Sequence, residues 1–273
     1  MTYSVIAVHV DAGAEGRVKA ALQLAKSCDA TLIGVGAGMW QPPVVVMGPD
    51  VGVVSADMIE AGREQVEADL TVAASLFRKL TECKEVRTEW RSAVEFPHVA
   101  LCNAANAADL IVVGSLDPYS IGAEYRSVNP GDVLIGAGRP MLVVPEGIGE
   151  IKARKIVAAW KNTREARRAL ADALPLLVKA ESVLLTEVRE RNGDDSLSDA
   201  SSFLARHGVK VSTDSREMKA PTVDEELVQC ARACGADLIV AGAYGRSRLR
   251  EWVFGGVTRG LLVQRATACQ FSH

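Results

Sequence analysis

Four glycines follow one short apolar run in the C-terminal half of the chain and precede a helical pattern at residues 257–263. They are Gly242, Gly245, Gly255 and Gly256. In an open parallel sheet, ligands bind beyond the carboxyl ends of the strands. Glycine lets a backbone approach a ligand closely, and a helix start offers unpaired N–H groups, so this spacing predicts a phosphate cradle. The alternative is a tight turn with close helix–sheet packing.

Basic residues alternate beside these glycines, at Arg246, Arg248 and Arg250. They either face solvent or contact the phosphate of a ligand. Arg246 and Val257, next to the glycines, are included among the candidate binding residues.

The apolar run before the glycines occurs twice. Residues 108–114 and 236–242 both begin Ala-Asp-Leu-Ile-Val and end in glycine, 128 residues apart. Each half alternates apolar runs with helical patterns, which indicates parallel sheets covered by helices. We predict strands at 4–10, 30–36, 85–91, 109–114 and 140–145, and at 154–160, 181–188, 208–214, 237–242 and 267–272.

The repeat predicts two domains, residues 1–148 and 152–273, joined by a short linker at 146–150. The first half carries additional residues in a Gly-, Pro- and Val-rich insertion around 36–61. The insertion either packs against its neighbours as a long connection or forms a mobile lid or apolar ligand contact.

The composition is that of a globular protein, with 48% hydrophobic residues and a formal net charge of −3 among 273 residues. This charge argues against a broad nucleic-acid surface. No run reaches the ~20 apolar residues of a membrane helix, and the N-terminus lacks the features of a signal peptide. We therefore expect a cytoplasmic protein that binds neither membrane nor nucleic acid.

The residue types required for catalysis are scattered. The four histidines form no metal-ligand spacing, and no P-loop motif or nucleophile elbow occurs. His9 lies in a strand pattern and is expected to be a core or rim residue. The six cysteines form no CxxC pair and are expected to be buried, reduced thiols. We therefore expect that the protein is not an enzyme and has no metal site. Slow hydrolysis of ATP is the one catalytic activity left as an alternative.

The glycine loop resembles the Gly-xx-Gly-x9-Gly-Ser/Thr motif of universal stress proteins. Supporting runs are 160–166, the repeated Ala-Asp-Leu-Ile-Val and 257–262. The resemblance covers essentially the whole chain as a tandem pair of domains. It implies two doubly wound α/β domains with five parallel strands each. It also implies binding of ATP or AMP, with or without Mg²⁺, by a stress-responsive regulator.

Two positions depart from the family pattern. The final Ser/Thr is Gly256 here, and Ser247 or Thr258 could replace its hydroxyl. The family's acidic residue after the first strand aligns with Lys161, whose ammonium only donates hydrogen bonds and could approach phosphate or point into water. The N-terminal half keeps the acid as Asp11 but lacks the glycine loop.

Two hypotheses follow. In the first, the C-terminal domain binds an adenine nucleotide through Lys161 and the residues of the glycine loop, namely Gly242, Gly245, Arg246, Gly255, Gly256 and Val257. In the second, the chain is a nucleotide-independent interaction or apolar-ligand protein with two vestigial sites.

The fifth strand of each domain is expected to be an edge strand that pairs with another copy, as the resemblance suggests. An exposed apolar edge promotes aggregation unless it is paired, and the tethered second half is the nearest partner. We therefore predict an intramolecular pseudo-dimer in which strands 140–145 and 267–272 meet. A homodimer of the whole chain is a further option.

Overall fold

The computed structural model describes residues 2–41, 56–82, 85–117, 125–189, 196–244 and 256–273. Within them, strands and helices alternate through both halves, as predicted. The N-terminal half contains β1 (Val5–His9), α1 (Glu15–Cys28), β2 (Thr31–Ala37), α2 (Ala56–Thr81), β3 (Thr88–Ala93), α3 (Pro97–Ala104), β4 (Leu110–Gly114), α4 (Pro130–Gly136) and β5 (Met141–Val144). The C-terminal half contains β6 (Lys155–Trp160), α5 (Arg164–Leu177), β7 (Ser182–Arg189), α6 (Ser196–Arg206), β8 (Val211–Glu217), α7 (Val223–Cys234), β9 (Leu238–Gly242), α8 (Gly256–Val263) and β10 (Ala268–Ser272).

All ten strands join one sheet in the order β3-β2-β1-β4-β5-β10-β9-β6-β7-β8. Neighbours within each half are parallel, so each half is a doubly wound five-stranded unit and the predicted fold class is confirmed. β3 and β8 begin at Thr88 and Val211, three residues later than predicted. Because the halves share one sheet, the predicted domain boundaries stay predictions.

The two halves meet through β5 and β10, the antiparallel pair at the centre of the sheet. Leu142 lies opposite Gln270, and these residues are 128 apart, the same offset that relates the repeated sequence runs. A pseudo-twofold axis therefore passes through this residue pair. This is the arrangement of the predicted internal pseudo-dimer, in which β5 and β10 pair.

The helices cover the sheet in two layers related by the same axis. Buried residues of α1, α2, α5 and α6 form one core, and those of α3, α4, α7 and α8 form the other. The first core crosses the domain boundary, where the buried Gln270 amide donates to the Tyr3 hydroxyl at 3.2 Å. The Tyr3 hydroxyl in turn donates to the Asp172 carbonyl at 2.8 Å. The tandem halves are thus packed together on both faces.

Part of the extra length of the first half lies in a helix. α2 has 26 residues, whereas its counterpart α6 has 11. Of the predicted insertion at 36–61, residues 42–55 lie outside the described residues, and residues 56–61 begin α2. In the described parts of the chain, no helix is long and apolar enough to cross a membrane.

Candidate functional site

Two of the predicted site residues of the C-terminal half, Lys161 and Gly242, lie where its strands end. β6 ends at Trp160, so the exposed Lys161 follows it directly, and the adjacent β9 ends at Gly242. α8 begins at Gly256, which is exposed, as is Val257 beside it. The other predicted residues, Gly245, Arg246 and Gly255, lie outside the described residues, as do Ser247, Arg248 and Arg250.

Gly242 is required by the packing of a helix on the sheet. A Cβ atom at this position would lie 2.4 Å from the backbone nitrogen of Ala166 and 2.5 Å from the carbonyl carbon of Glu165. Only glycine lets the first turn of α5 approach β9 this closely. At Gly256, by contrast, an added Cβ would have no neighbour within 4 Å among the described residues. The alternative of close helix–sheet packing therefore accounts for the first glycine of the motif but not for the last.

The first turn of α5 brings positive charge to this end of the sheet. Thr163 is the N-cap residue, and its hydroxyl accepts a hydrogen bond from Ala166 N at 3.3 Å. Lys161, Arg164 and Arg167 are exposed around the N-terminus, whose dipole is also positive. The rim of the C-terminal crevice is therefore suited to an anion.

One carboxylate lies among these cations. Glu165 is buried, and its Oε1 accepts a hydrogen bond from Arg164 Nε at 2.5 Å. Burial opposes ionisation of Glu165, but its own backbone N–H and then Arg164 outweigh that effect, so its pKa lies below the usual value. Glu165 thus carries a negative charge that offsets part of the positive rim.

The corresponding crevice of the N-terminal half is filled by an arginine. Arg17, on α1, forms an ion pair with Asp11 at 2.5 Å and donates from Nε to the His9 carbonyl at 2.7 Å. Its Nη1 lies close to Gly114, where an added Cβ would be only 2.8 Å from it. Gly114 corresponds to Gly242 in the repeat. The guanidinium therefore occupies the gap between the ends of β1 and β4.

The same contacts set the ionisation of two residues. Burial, and then the cation of Arg17, lower the pKa of His9 to about 3. Burial opposes ionisation of Asp11, but Arg17 outweighs it and holds the pKa of that carboxyl below its usual value. His9 is thus a neutral core histidine, as its strand pattern predicts, and its Nδ1 lies 3.3 Å from Arg17 Nη2.

A segment after β4 covers the same end of the N-terminal half. The Tyr125 carbonyl accepts a hydrogen bond from Met39 N at 2.7 Å, and the Tyr125 ring lies 5.3 Å from that of Phe96. Arg126 pairs with Asp69 of α2. These contacts place part of the chain itself over this end of the sheet.

Sequence reasoning missed the role of Arg17. The signal that was available is its charge, six residues after Asp11 across a strand–turn–helix connection. In the C-terminal half the residue six positions after Lys161 is Arg167, which instead donates to the Asn162 side chain at 2.8 Å. Where Lys161 replaces the acid at the strand end, the corresponding arginine, Arg167, is exposed and bonds to Asn162.

The other candidate chemistries find no support in the described residues. Among them, no group of three or more His, Cys, Asp or Glu side chains is placed to hold a metal ion. Five cysteines are described, all as free thiols; Cys28, Cys230 and Cys269 are buried, and Cys102 and Cys234 are half-buried. Cys83 lies outside the described residues.

Residues 152–266 match the model of the universal stress protein family. A universal stress protein from Archaeoglobus fulgidus has a similar structure, with a TM-score of 0.68 and 14% identity over 98% of this chain and 95% of its own. A functionally unknown protein from Pseudomonas aeruginosa PAO1 has a TM-score of 0.59 and 14% identity over 99% of this chain and 92% of its own. At these identities the structures show a shared fold.

A universal stress protein in complex with cAMP also overlaps with 54% of this chain and all of its own, at 22% identity. Its TM-score of 0.32 is too low for its ligand to bear on this chain. No curated protein matches.

Proposed function

Because residues 152–266 match the model of the universal stress protein family, we propose that the C-terminal half of the chain binds one adenine nucleotide, ATP or AMP. In this proposal the chain is a cytoplasmic stress-response regulator that responds to occupancy of the site. The N-terminal half supports the site and binds no nucleotide itself.

The contrast between the two strand ends carries the proposal. In the N-terminal half, the guanidinium of Arg17 lies between the strand ends, paired with Asp11. In the C-terminal half, Lys161 replaces the acid, and Arg167 points toward Asn162. A cationic, glycine-bearing strand end beside a helix N-terminus favours phosphate, whereas an arginine that is already paired does not.

Lys161 and the start of α8 would hold the phosphates. Lys161 is exposed and directly follows β6, so its ammonium can reach a phosphate as a donor. Gly256 and Val257 would present their backbone N–H groups at the start of α8. Any Mg²⁺ would be held by the phosphates of the nucleotide rather than by a protein site.

Binding rather than catalysis is the proposed activity. Fast phosphoryl transfer requires a base or water-positioning residue together with carboxylates that hold Mg²⁺. Among the described residues at this strand end, two carboxylates are buried: Glu165, which is engaged by Arg164, and Glu187 of β7, which lies beside Trp160 in the sheet. We expect ATP turnover far below the ~1 per second of a typical kinase.

The test begins with the unmodified protein. Purified chain is denatured, and released nucleotide is identified by mass spectrometry; ATP and AMP are then titrated by calorimetry. Lys161→Glu should weaken binding by about tenfold or more, because a repulsive charge replaces an attractive one near phosphate. Lys210→Glu makes the same charge change at the opposite end of the sheet, where the Lys210 carbonyl meets the start of β7, and should leave binding unchanged.

The second candidate is a protein that acts without nucleotide. It is favoured by Gly242, which packing alone explains, and by the glycine that stands where the family has a hydroxyl, at 256. Absence of bound nucleotide in the purified protein, with no calorimetric signal for either ATP or AMP, would decide for this candidate.

A further inference from the structure

α8 is a short helix whose order depends on its surroundings. It has eight residues, from Gly256 to Val263, and isolated helices shorter than about 12 residues are marginal in water. Its first residue is an exposed glycine, and glycine is a poor helix former. Tertiary contacts must therefore hold this helix.

The other half of the chain supplies one of these contacts at the helix C-terminus. The backbone N–H of Leu116, two residues beyond β4, donates to the Leu262 carbonyl at 2.9 Å. Leu262 lies in the last turn, where carbonyl groups have no donor within the helix. The Ser115 hydroxyl also lies 3.5 Å from the Gln264 carbonyl, a long contact that adds little.

The end of α8 is further tied to β10. Gln264 Oε1 accepts hydrogen bonds from Ala266 N at 2.8 Å and from Thr267 N at 3.1 Å. Leu261 and Leu262 are buried in the core below. The C-terminus of α8 is thus held by contacts within the C-terminal half, and the bond from Leu116 adds one contact from the N-terminal half.

The corresponding segment of the C-terminal half has a different backbone. Tyr244 is the counterpart of Leu116 in the repeat, 128 residues later, but its φ is +59°, in the left-handed region. Its ring lies 5.9 Å from that of His273, in its own half. The bond from Leu116 to α8 therefore depends on the backbone conformation after β4, which differs from the conformation after β9.

We propose that the Leu116 backbone is a positioning element for the nucleotide site, because it holds α8 in place from the other half of the chain. The inference rests on the proposed nucleotide function, since α8 begins at the predicted phosphate-binding glycines. If the bond is lost, the ordered helix is less populated, and the apparent dissociation constant rises in inverse proportion to that population. This gives the N-terminal half a specific role in nucleotide affinity.

Three variants of the full-length chain separate the backbone bond from the side chain. Leu116→Pro removes the donor, and Leu116→Ala keeps it while removing the side chain. Leu116→Gly also keeps the donor but loosens the backbone, so it tests the proposal should Leu116→Pro fail to fold. Hydrogen exchange of residues 256–263 is measured without nucleotide, and ATP and AMP are titrated by calorimetry.

Relative to Leu116→Ala, we expect Leu116→Pro to speed exchange in α8 and weaken nucleotide binding by up to about fivefold, the largest effect that losing one typical hydrogen bond can have. Leu116→Gly should show a smaller change in the same direction. Exchange in α8 that is equal in all three variants would overturn the proposal. Faster exchange in Leu116→Pro with unchanged nucleotide affinity would also overturn it.

A wild-type chain that binds neither nucleotide would refute the proposed function and remove the role of Leu116 in affinity. The exchange measurement is made without nucleotide, so it would still report whether Leu116 holds α8. The failure of one idea can therefore be told from the failure of the other.

Discussion

At the level of single residues, the two halves differ most where β1 and β6 end. Asp11 attracts Arg17 into the gap beside Gly114, whereas Lys161 stands at the matching position of the C-terminal half. The same fold thus carries a closed, charge-paired strand end in one half and a cationic one in the other. A single change of charge accompanies this difference.

The two described glycines of the motif should respond differently to alanine. We expect Gly242→Ala to lower the free energy of unfolding by about 1–3 kcal/mol, as overpacking does, because its Cβ would meet the backbone of α5. Gly256→Ala has open space and should be neutral or stabilising by up to about 1 kcal/mol. Urea denaturation of both variants checks this, and equal stabilities would contradict it.

His9 should make the fold sensitive to acid. Its pKa is about 3 in the folded chain, whereas the pKa of histidine in an unfolded chain is about 6.5. Between these values the unfolded chain binds a proton that the folded chain does not, so stability falls as the pH drops. Asp11 acts in the same direction, because its folded pKa is also lowered.

The histidine contribution can be isolated with His9→Gln. Urea unfolding at pH 7 and pH 4.5 should show a smaller loss of stability for this variant than for the wild type. If both proteins lose the same free energy between these pH values, His9 does not titrate as described.

At the level of elements, the β5–β10 pair joins the two halves. Val143 is buried and lies opposite Cys269. We expect Val143→Asp to cost on the order of 3–5 kcal/mol, because it leaves a buried charge without a partner. Cys269→Ser, at the facing position, should cost about 1 kcal/mol, since a hydroxyl can keep the neighbouring hydrogen bonds.

Thermal melting and small-angle scattering measure the two parts of this effect. Val143→Asp should lower the melting temperature strongly and separate the halves, whereas Cys269→Ser should lower the melting temperature only slightly and leave the halves together. An unchanged scattering profile and melting curve for Val143→Asp would mean that this pair is not what holds the halves together.

The outer edges of the ten-stranded sheet are polar by comparison. β8 carries Asp214, Arg216 and Glu217, and β3 carries Glu89 and Arg91. Charges on edge strands oppose pairing with another chain. A homodimer of this chain, if one forms, would therefore use a surface other than these two edges.

At the level of the whole molecule, the tandem arrangement places two unequal strand ends on one sheet. Titration of ATP or AMP should give one site per chain at most, because Arg17 already fills the N-terminal strand end. A bulky substitution at Gly245, which lies outside the described residues, is predicted from the sequence spacing to abolish binding. Two equivalent sites by calorimetry would refute the asymmetry.

The sequence by itself determined the tandem repeat and the ten strands, and the resemblance to universal stress proteins, together with the apolar edges, predicted the pairing of strands 140–145 and 267–272. These features depend on local hydrophobic periodicity and on an apolar edge that must be covered, both of which are visible along the chain. The starts of β3 and β8 were predicted three residues too early, because polar edge strands show little periodicity.

Only the tertiary structure decided what the individual site residues contact. The packing of α5 on Gly242, the guanidinium of Arg17 beside Gly114 and the bond from Leu116 to Leu262 each join elements that no local pattern connects. Glycine spacing is the same whether a backbone or a phosphate comes close, and a charge does not reveal its partner. Which atom approaches each glycine and which partner each charge binds depend on how the helices pack on the sheet, and that is set by the whole molecule.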